Sequence, residues 1–145
     1  MSPAQLAARC VELLGTVEGP VAVIAVPRLT GAVAERVRIA HEGEPATAAV
    51  CAFLDEPADP TARGARLQAL AARLPVGAPI VVVDHNQPRQ RLCRLLGALA
   101  LLARGVKPVR AAYPTARELQ QHAFVVDCLR LADGERIQLV RAHRT

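Results

Sequence analysis

A run of four β-branched residues, at positions 80–83 (Ile-Val-Val-Val), constrains the fold of this chain more than any other stretch. Such an unbroken run is typical of a strand buried on both faces, as in a parallel sheet covered by helices. The sequence turns polar immediately afterwards, at Asp84, His85 and Asn86. Ligands of open α/β sheets bind just beyond the carboxyl ends of the strands. These polar residues therefore mark either a functional site or the solvated end of a strand.

The rest of the chain alternates between predicted strands and predicted helices. Apolar strands are predicted at residues 21–26 and 46–54, a short strand at 37–40, and helices at 2–14, 30–37, 62–74 and 89–104. Ser2 and Pro3 suit the start of the first helix. The second half of the helix at 89–104 is apolar almost all round, which predicts deep burial or contact with something apolar.

The C-terminal third ends in a predicted antiparallel hairpin. Thr115 and Glu118 have the spacing of a capping box, which predicts a helix over residues 116–122. Two alternating segments then flank Asp133-Gly134, a pair typical of a tight turn. Alternating strands and helices followed by a hairpin predict one α/β domain over residues 1–145, with a mostly parallel sheet and one reversed strand.

Composition narrows the class of function. The chain has 145 residues and a formal charge of +5, but aromatic residues make up only 2% and the arginines are spread along its length. Without aromatic platforms for bases, nucleic-acid binding is not expected. No apolar run approaches the ~20 residues of a membrane-spanning helix. The N-terminus lacks a signal-peptide pattern and the four cysteines lack paired spacing, so we expect a cytoplasmic protein.

Three residues are candidates for acid–base chemistry. Asp55 follows the strand at 46–54, Asp84 ends the strand at 80–84, and His85 comes directly after it. Carboxylates and imidazoles at such positions act as general acids and bases, or simply cap a strand. Because neighbouring side chains on a strand point to opposite faces, only one of Asp84 and His85 can face a given pocket. No cluster has the spacing of metal ligands, so no metal site is predicted.

Three segments carry a resemblance to a known family. Residues 74–84 (LPVGAPIVVVD) and 49–57 (AVCAFLDEP) resemble strands of the class I S-adenosylmethionine-dependent methyltransferases, and residues 114–131 resemble the family's penultimate helix and strand. The resemblance implies a Rossmann-like, three-layer α/β/α fold, S-adenosylmethionine as cofactor and a small-molecule substrate. The cofactor-binding residues that it implies are Ala25, Pro27, Glu42, Phe53 and Leu54.

The chain departs from that family in its N-terminal half. The family's first strand ends in a glycine-rich loop, whereas here the sequence continues Pro27-Arg28-Leu29-Thr30-Gly31. Residues 41–45 leave no room for the family's third strand, so the fold is predicted to be truncated there. Two functions stay open: a methyltransferase with weak cofactor binding, and a non-catalytic scaffold that binds a partner protein or a ligand. An uncovered sheet edge at 37–40 and the apolar helix further predict a homodimer.

Overall fold

The computed structural model describes residues 1–54, 59–103 and 105–145. Helices in these residues are α1 (Pro3–Leu14), α2 (Pro27–Ala34), α3 (Pro60–Arg73), α4 (Arg91–Ala103) and α5 (Thr115–Gln121), with a 3₁₀ helix at Pro108–Ala112. Strands are β1 (Val21–Ile24), β2 (Ala48–Ala52), β3 (Pro79–His85), β4 (Phe124–Ala132) and β5 (Ile137–Arg144). Strands and helices thus alternate along the chain until the final hairpin.

The strands form one mixed sheet in the order β1-β2-β3-β5-β4. β1, β2 and β3 are parallel, and β5 runs antiparallel to both β3 and β4. The predicted mostly parallel sheet with one reversed strand is confirmed. Because β1 to β3 run the same way, their carboxyl ends meet at one edge of the molecule.

The central strands are buried on both faces, as the apolar run predicted. Side chains alternate, so that Cys51 packs with α3 and α5 on one face, whereas Val50 packs with α1 and α2 on the other. The sheet therefore has helices on both faces, which confirms the three-layer architecture. Burial of both faces explains why β3 contains no polar residue before Asp84.

The start of α1 follows the local sequence closely. The Ser2 hydroxyl accepts a hydrogen bond from the Gln5 backbone N–H, and the Gln5 side chain accepts one from the Ser2 N–H. Pro3 occupies the first helical position, where its missing N–H costs nothing. Leu6, Cys10, Leu13 and Leu14 are buried beneath the helix.

Three local predictions differ from the structure. The second helix begins at Pro27 rather than at residue 30, because proline's fixed φ suits the first helical turn. The predicted strand at 37–40 is wrong: within the described residues it pairs with β1 through one parallel bridge, Val21 with Ile39. The predicted capping box is also wrong, because α5 starts after Pro114 without a side-chain cap. The side chains expected to form it are bonded elsewhere.

The apolar helix α4 is not deeply buried. Leu101 is its one buried residue, and five other leucines are 48–68% exposed. The prediction of deep burial is therefore wrong, whereas the alternative of an apolar wall is correct for the inner face, where Gly97, Ala98 and Leu101 line a cavity. Among the described helices none is both long and apolar enough to cross a bilayer.

Candidate functional site

A cavity of about 570 Å³ lies at the carboxyl ends of β1, β2 and β3. Its wall includes a residue that follows each strand: Val26 after β1, Leu54 after β2 and Asn86 after β3. The start of α1 and the inner face of α4 form two further sides. Open α/β sheets bind ligands at this end, so the cavity is the candidate functional site.

Arginine dominates the charged part of the cavity wall. Arg28 comes from α2, Arg94 from α4 and Arg136 from the turn before β5, whereas Asp133 is the one acidic residue in the described lining. Apolar wall residues include Leu6, Leu29, Leu54, Leu101 and Ile137. Such a lining favours a ligand with an apolar body and a negative charge.

His85 is held in a fixed position in the cavity wall. Its Nε2 lies 2.7 Å from the carbonyl oxygen of Leu54, and because a carbonyl only accepts, Nε2 is the donor. The His85 carbonyl accepts a hydrogen bond from the Gln138 amide at 2.8 Å, and its N–H donates to Asp84 Oδ1 at 2.7 Å. The imidazole thus joins the ends of β2 and β3 into one wall.

Asp84 faces the other side of the sheet and is fully buried. Its Oδ2 lies 2.9 Å from Nη2 of Arg63 on α3 and accepts a hydrogen bond from the Thr115 hydroxyl at 2.8 Å. Arg63 also donates from Nε and Nη2 to the Glu118 carboxylate of α5, at 2.8–3.1 Å. We call Arg63, Asp84, Thr115 and Glu118 the Arg63 cluster. It ties β3, α3 and α5 together beneath the sheet.

Two of the few aromatic rings in the chain enclose Arg63. Its guanidinium carbon lies 3.8 Å from the ring centroid of Phe53 and 4.2 Å from that of Tyr113. Burial lowers the pKa of Arg63, but hydrogen bonding to Glu118 and the charges of Asp84 and Glu118 outweigh burial and raise it above its ordinary value. Arg63 therefore stays protonated, and the Asp84 side chain is paired with it.

The structure does not bring the predicted site residues together as one group. Leu54 and His85 line the cavity, whereas Asp84 and Phe53 lie on the opposite face of the sheet in contact with Arg63. An Asp84–His85 acid–base pair is therefore not assembled at the cavity. Asp55 lies outside the described residues.

Ala25 and Pro27 adjoin Val26 at the carboxyl end of β1 but are not themselves part of the cavity lining, and neither is Glu42. The Ala25 carbonyl accepts a hydrogen bond from the Thr30 hydroxyl, and Pro27 is the first residue of α2. Glu42 belongs to a loop whose carbonyls at His41 and Glu44 accept hydrogen bonds from Arg73. Arg73 ends α3 just before β3 begins, so that loop lies at the amino ends of the strands, opposite the cavity.

Sequence reasoning missed Arg63 and the three cavity arginines. Arg63 precedes Leu67 by four residues and Leu70 by seven, so it belongs to the buried face of α3. An arginine on an apolar helix face was the available signal for the Arg63 cluster. The cavity arginines come from three distant segments, and no local pattern connects them.

A fold with this sheet order, helices on both faces and a cavity at the strand ends is that of the class I methyltransferases, and comparison with solved structures agrees. The mitomycin 7-O-methyltransferase MmcR is 15% identical with a TM-score of 0.66, and the match covers 99% of this chain and 53% of MmcR. The pyocyanin biosynthetic protein PhzM is 12% identical with a TM-score of 0.68, covering 99% of this chain and 54% of PhzM. An S-adenosylmethionine-dependent methyltransferase from Methanosarcina mazei is 10% identical with a TM-score of 0.59, covering 92% and 95%.

These similarities concern the fold. The chain spans about half the length of MmcR and PhzM. No protein-family model matches the sequence, and no curated protein matches it. The chain therefore has a truncated methyltransferase fold, and its activity is a matter for the site residues.

Proposed function

We propose that this protein is a non-catalytic methyltransferase-type scaffold whose cavity binds a small organic anion. The observation that carries this proposal is the cavity lining, where Arg28, Arg94 and Arg136 surround an otherwise mostly apolar space at the strand ends. Guanidinium groups form charge-assisted hydrogen bonds with carboxylates, sulfonates and phosphates. A cavity of about 570 Å³ suits a small molecule.

The described residues do not fit S-adenosylmethionine well. In the family a glycine loop after the first strand lets the backbone approach the cofactor, but here only Ala25 and Val26 separate β1 from α2, and Pro27 has no N–H. Beyond Arg28, the N–H groups of Leu29 and Thr30 already donate to the Val26 carbonyl. Glu42, one of the residues implied to bind the cofactor, lies in a loop at the opposite end of the strands.

Charge gives a second reason to favour a different ligand. The sulfonium of S-adenosylmethionine is a cation, and the charged residues of the described lining are three arginines and one aspartate. Like charges across a partly enclosed cavity are repulsive. A carboxylate or sulfonate on an apolar ring or chain instead matches both the arginines and the leucines.

A small-molecule methyltransferase is the second candidate. It is favoured by the location of the cavity at the strand ends and by His85, whose fixed imidazole lines that cavity. Methyl transfer depends mainly on positioning the acceptor in line with the donor, so it needs no further catalytic group. Transfer of a methyl group from S-adenosylmethionine to any acceptor would favour this candidate over ours.

Other features of the proposal stay predictions. Cys10, Cys93 and Cys128 are free thiols, which supports a cytoplasmic protein. Because both apolar clusters share one sheet, we interpret residues 1–145 as one domain. Within the described residues the outer edge of β1 carries one bridge, to Ile39, so this edge is where we expect a homodimer or a partner protein to pair.

We expect 2-naphthoate to bind in the cavity and its neutral analogue 2-naphthamide to bind about ten-fold more weakly, because a charge-assisted hydrogen bond is worth about 1.5–3 kcal/mol. Amide NMR spectra recorded during each titration locate the contact. The shifted resonances should belong to Leu54, His85 and Leu29. The double variant Arg28→Gln/Arg94→Gln should remove the preference for the anion.

The matched control is Arg9→Gln/Arg117→Gln, which removes two exposed arginines outside the cavity. This control lowers the net charge by the same amount as Arg28→Gln/Arg94→Gln. It should retain the preference for naphthoate over naphthamide. Equal binding of naphthoate and naphthamide, or shifts confined to the exposed face of α4, would contradict the proposed anion site.

A further inference from the structure

The outer face of α4 is a continuous surface of leucine. Five leucines of this helix are exposed, and they are Leu92 (68%), Leu95 (59%), Leu96 (48%), Leu99 (54%) and Leu102 (56%). At 3.6 residues per turn they fall within an arc of about 120°. Ala103 is the one other α4 residue in that arc, so no side chain there forms hydrogen bonds. We call these five residues the leucine face.

α4 differs from the other long helices in the direction that its leucine side chains face. α1 and α3 bury their leucines against the sheet, whereas α4 directs Gly97, Ala98 and Leu101 inward and its leucine face outward. Contiguous apolar surface of this kind on a protein marks a contact with another apolar phase or partner.

The segment around α4 is strongly cationic. Residues 85–117 contain no aspartate or glutamate, and their cations are Arg89, Arg91, Arg94, Arg104, Lys107, Arg110 and Arg117. The rest of the chain has more acidic than basic residues. Arg91 borders the leucine face, and exposed Lys107 lies just beyond the helix. The basic charge of the whole protein is thus concentrated in the stretch of chain that contains the leucine face.

A second copy of the chain is a poor match for this face. Symmetric pairing through α4 would bring two segments without a single acidic residue against each other, and their charges would repel. The leucine face also lacks the hydrogen-bonding groups and aromatic anchors that characterise protein–protein contacts. The hydrocarbon of a lipid bilayer can contact the leucines without hydrogen bonds or aromatic anchors. Anionic lipid headgroups would also complement the cations of this segment.

We propose that α4 is an interfacial helix that docks this protein on anionic lipid bilayers. Thirteen residues extend about 20 Å, which is too short to cross a hydrocarbon core of about 30 Å, so the helix lies in the plane of the membrane. The leucine face enters the boundary between headgroups and acyl chains, and Arg91 and Lys107 contact the headgroups. Exposed Val109, in the 3₁₀ helix that packs against α4, adds to the apolar contact. This inference does not depend on what the cavity binds.

Co-sedimentation with vesicles tests the proposal. Binding to bilayers of equal phosphatidylglycerol and phosphatidylcholine should exceed binding to pure phosphatidylcholine by about ten-fold or more, and should fall when salt rises from 0.05 to 0.5 M, because each cation near an anionic surface contributes about 1 kcal/mol. Leu95→Gln/Leu99→Gln should weaken binding to the anionic vesicles by about ten-fold or more. Arg91→Gln/Lys107→Gln should weaken it on anionic vesicles and leave binding to neutral vesicles unchanged.

The control Val76→Gln/Leu129→Gln removes two exposed apolar side chains outside α4 and should bind vesicles as the parent protein does. All three variants change exposed residues, so thermal unfolding should match the parent and exclude misfolding as a cause. Equal sedimentation of the α4 leucine variant and the control would overturn the proposal. So would a dimer, measured by light scattering, that dissociates only in the α4 leucine variant.

Discussion

Replacing Arg63 by methionine should destabilise the protein by about 3–5 kcal/mol, which for a chain of this size lowers the melting temperature by about 10–15 °C. Arg63 is 1% exposed and is the cation shared by Asp84 and Glu118. Methionine fills the space between the rings of Phe53 and Tyr113 but leaves two buried carboxylates without their counter-charge. A loss of this size is a large fraction of the 5–15 kcal/mol that holds a typical domain folded.

Neutral substitutions separate charge from packing in this prediction. Arg63→Met combined with Asp84→Asn and Glu118→Gln removes the uncompensated charges, so part of the lost stability should return. The control Arg117→Met removes an exposed arginine of α5 and should change the unfolding free energy by less than about 0.5 kcal/mol. Denaturant unfolding measures all three. A loss below about 1 kcal/mol for Arg63→Met would mean that the Arg63 cluster does not hold the helices to β3.

Alanine at Gly19 should destabilise the protein by about 2–4 kcal/mol, from backbone strain and overpacking together. Gly19 has φ +132°, and a Cβ there would lie 2.8 Å from both Cγ2 and Oγ1 of Thr47. Thr47 is held in place because its N–H and its hydroxyl both donate to the Pro20 carbonyl. Strain and contact therefore add, and neither can be relieved by rotating the threonine side chain alone.

The matched control is Gly31→Ala, which should raise the free energy of unfolding rather than lower it. Gly31 lies inside α2, and a Cβ there meets nothing within 4 Å. Alanine in a helix interior is favoured over glycine by about 0.5–1 kcal/mol, so the variant should be more stable. Thermal unfolding of both variants decides the matter. If Gly31→Ala were destabilising instead, Gly31 would be needed for a close backbone contact other than those of the helix itself.

The sequence predicted those elements whose determinants are local. Continuous apolar runs located β2 and β3, Ser2 and Pro3 located the start of α1, and Asp133-Gly134 located the hairpin turn. Each of these signals depends on residues within a few positions of one another. The resemblance to methyltransferases, carried by the segments leading into β2 and β3, was also confirmed at the level of fold.

Contacts between residues that are distant in sequence explain most of the predictions that were wrong. Thr115 and Glu118 have capping-box spacing, but they bond to Asp84 and Arg63, which lie 31 and 55 residues away. A local pattern cannot show that a distant buried charge uses those side chains instead. The periodicity of α4 likewise identified an apolar helix without showing which face points inward. The cavity arginines needed the fold itself, because only the fold brings α2, α4 and the β4–β5 turn together.

Isothermal calorimetry with S-adenosylmethionine and S-adenosylhomocysteine tests the central claim most directly, namely that this scaffold does not bind the methyltransferase cofactor. We expect no saturable heat for either compound at concentrations up to about 1 mM, equivalent to less than about 4 kcal/mol of binding free energy. 2-Naphthoate, titrated into the same preparation, should give a saturable signal and so show that the cavity is intact. Binding of either cofactor form at low micromolar Kd, about 8 kcal/mol, would contradict the account and favour an active methyltransferase.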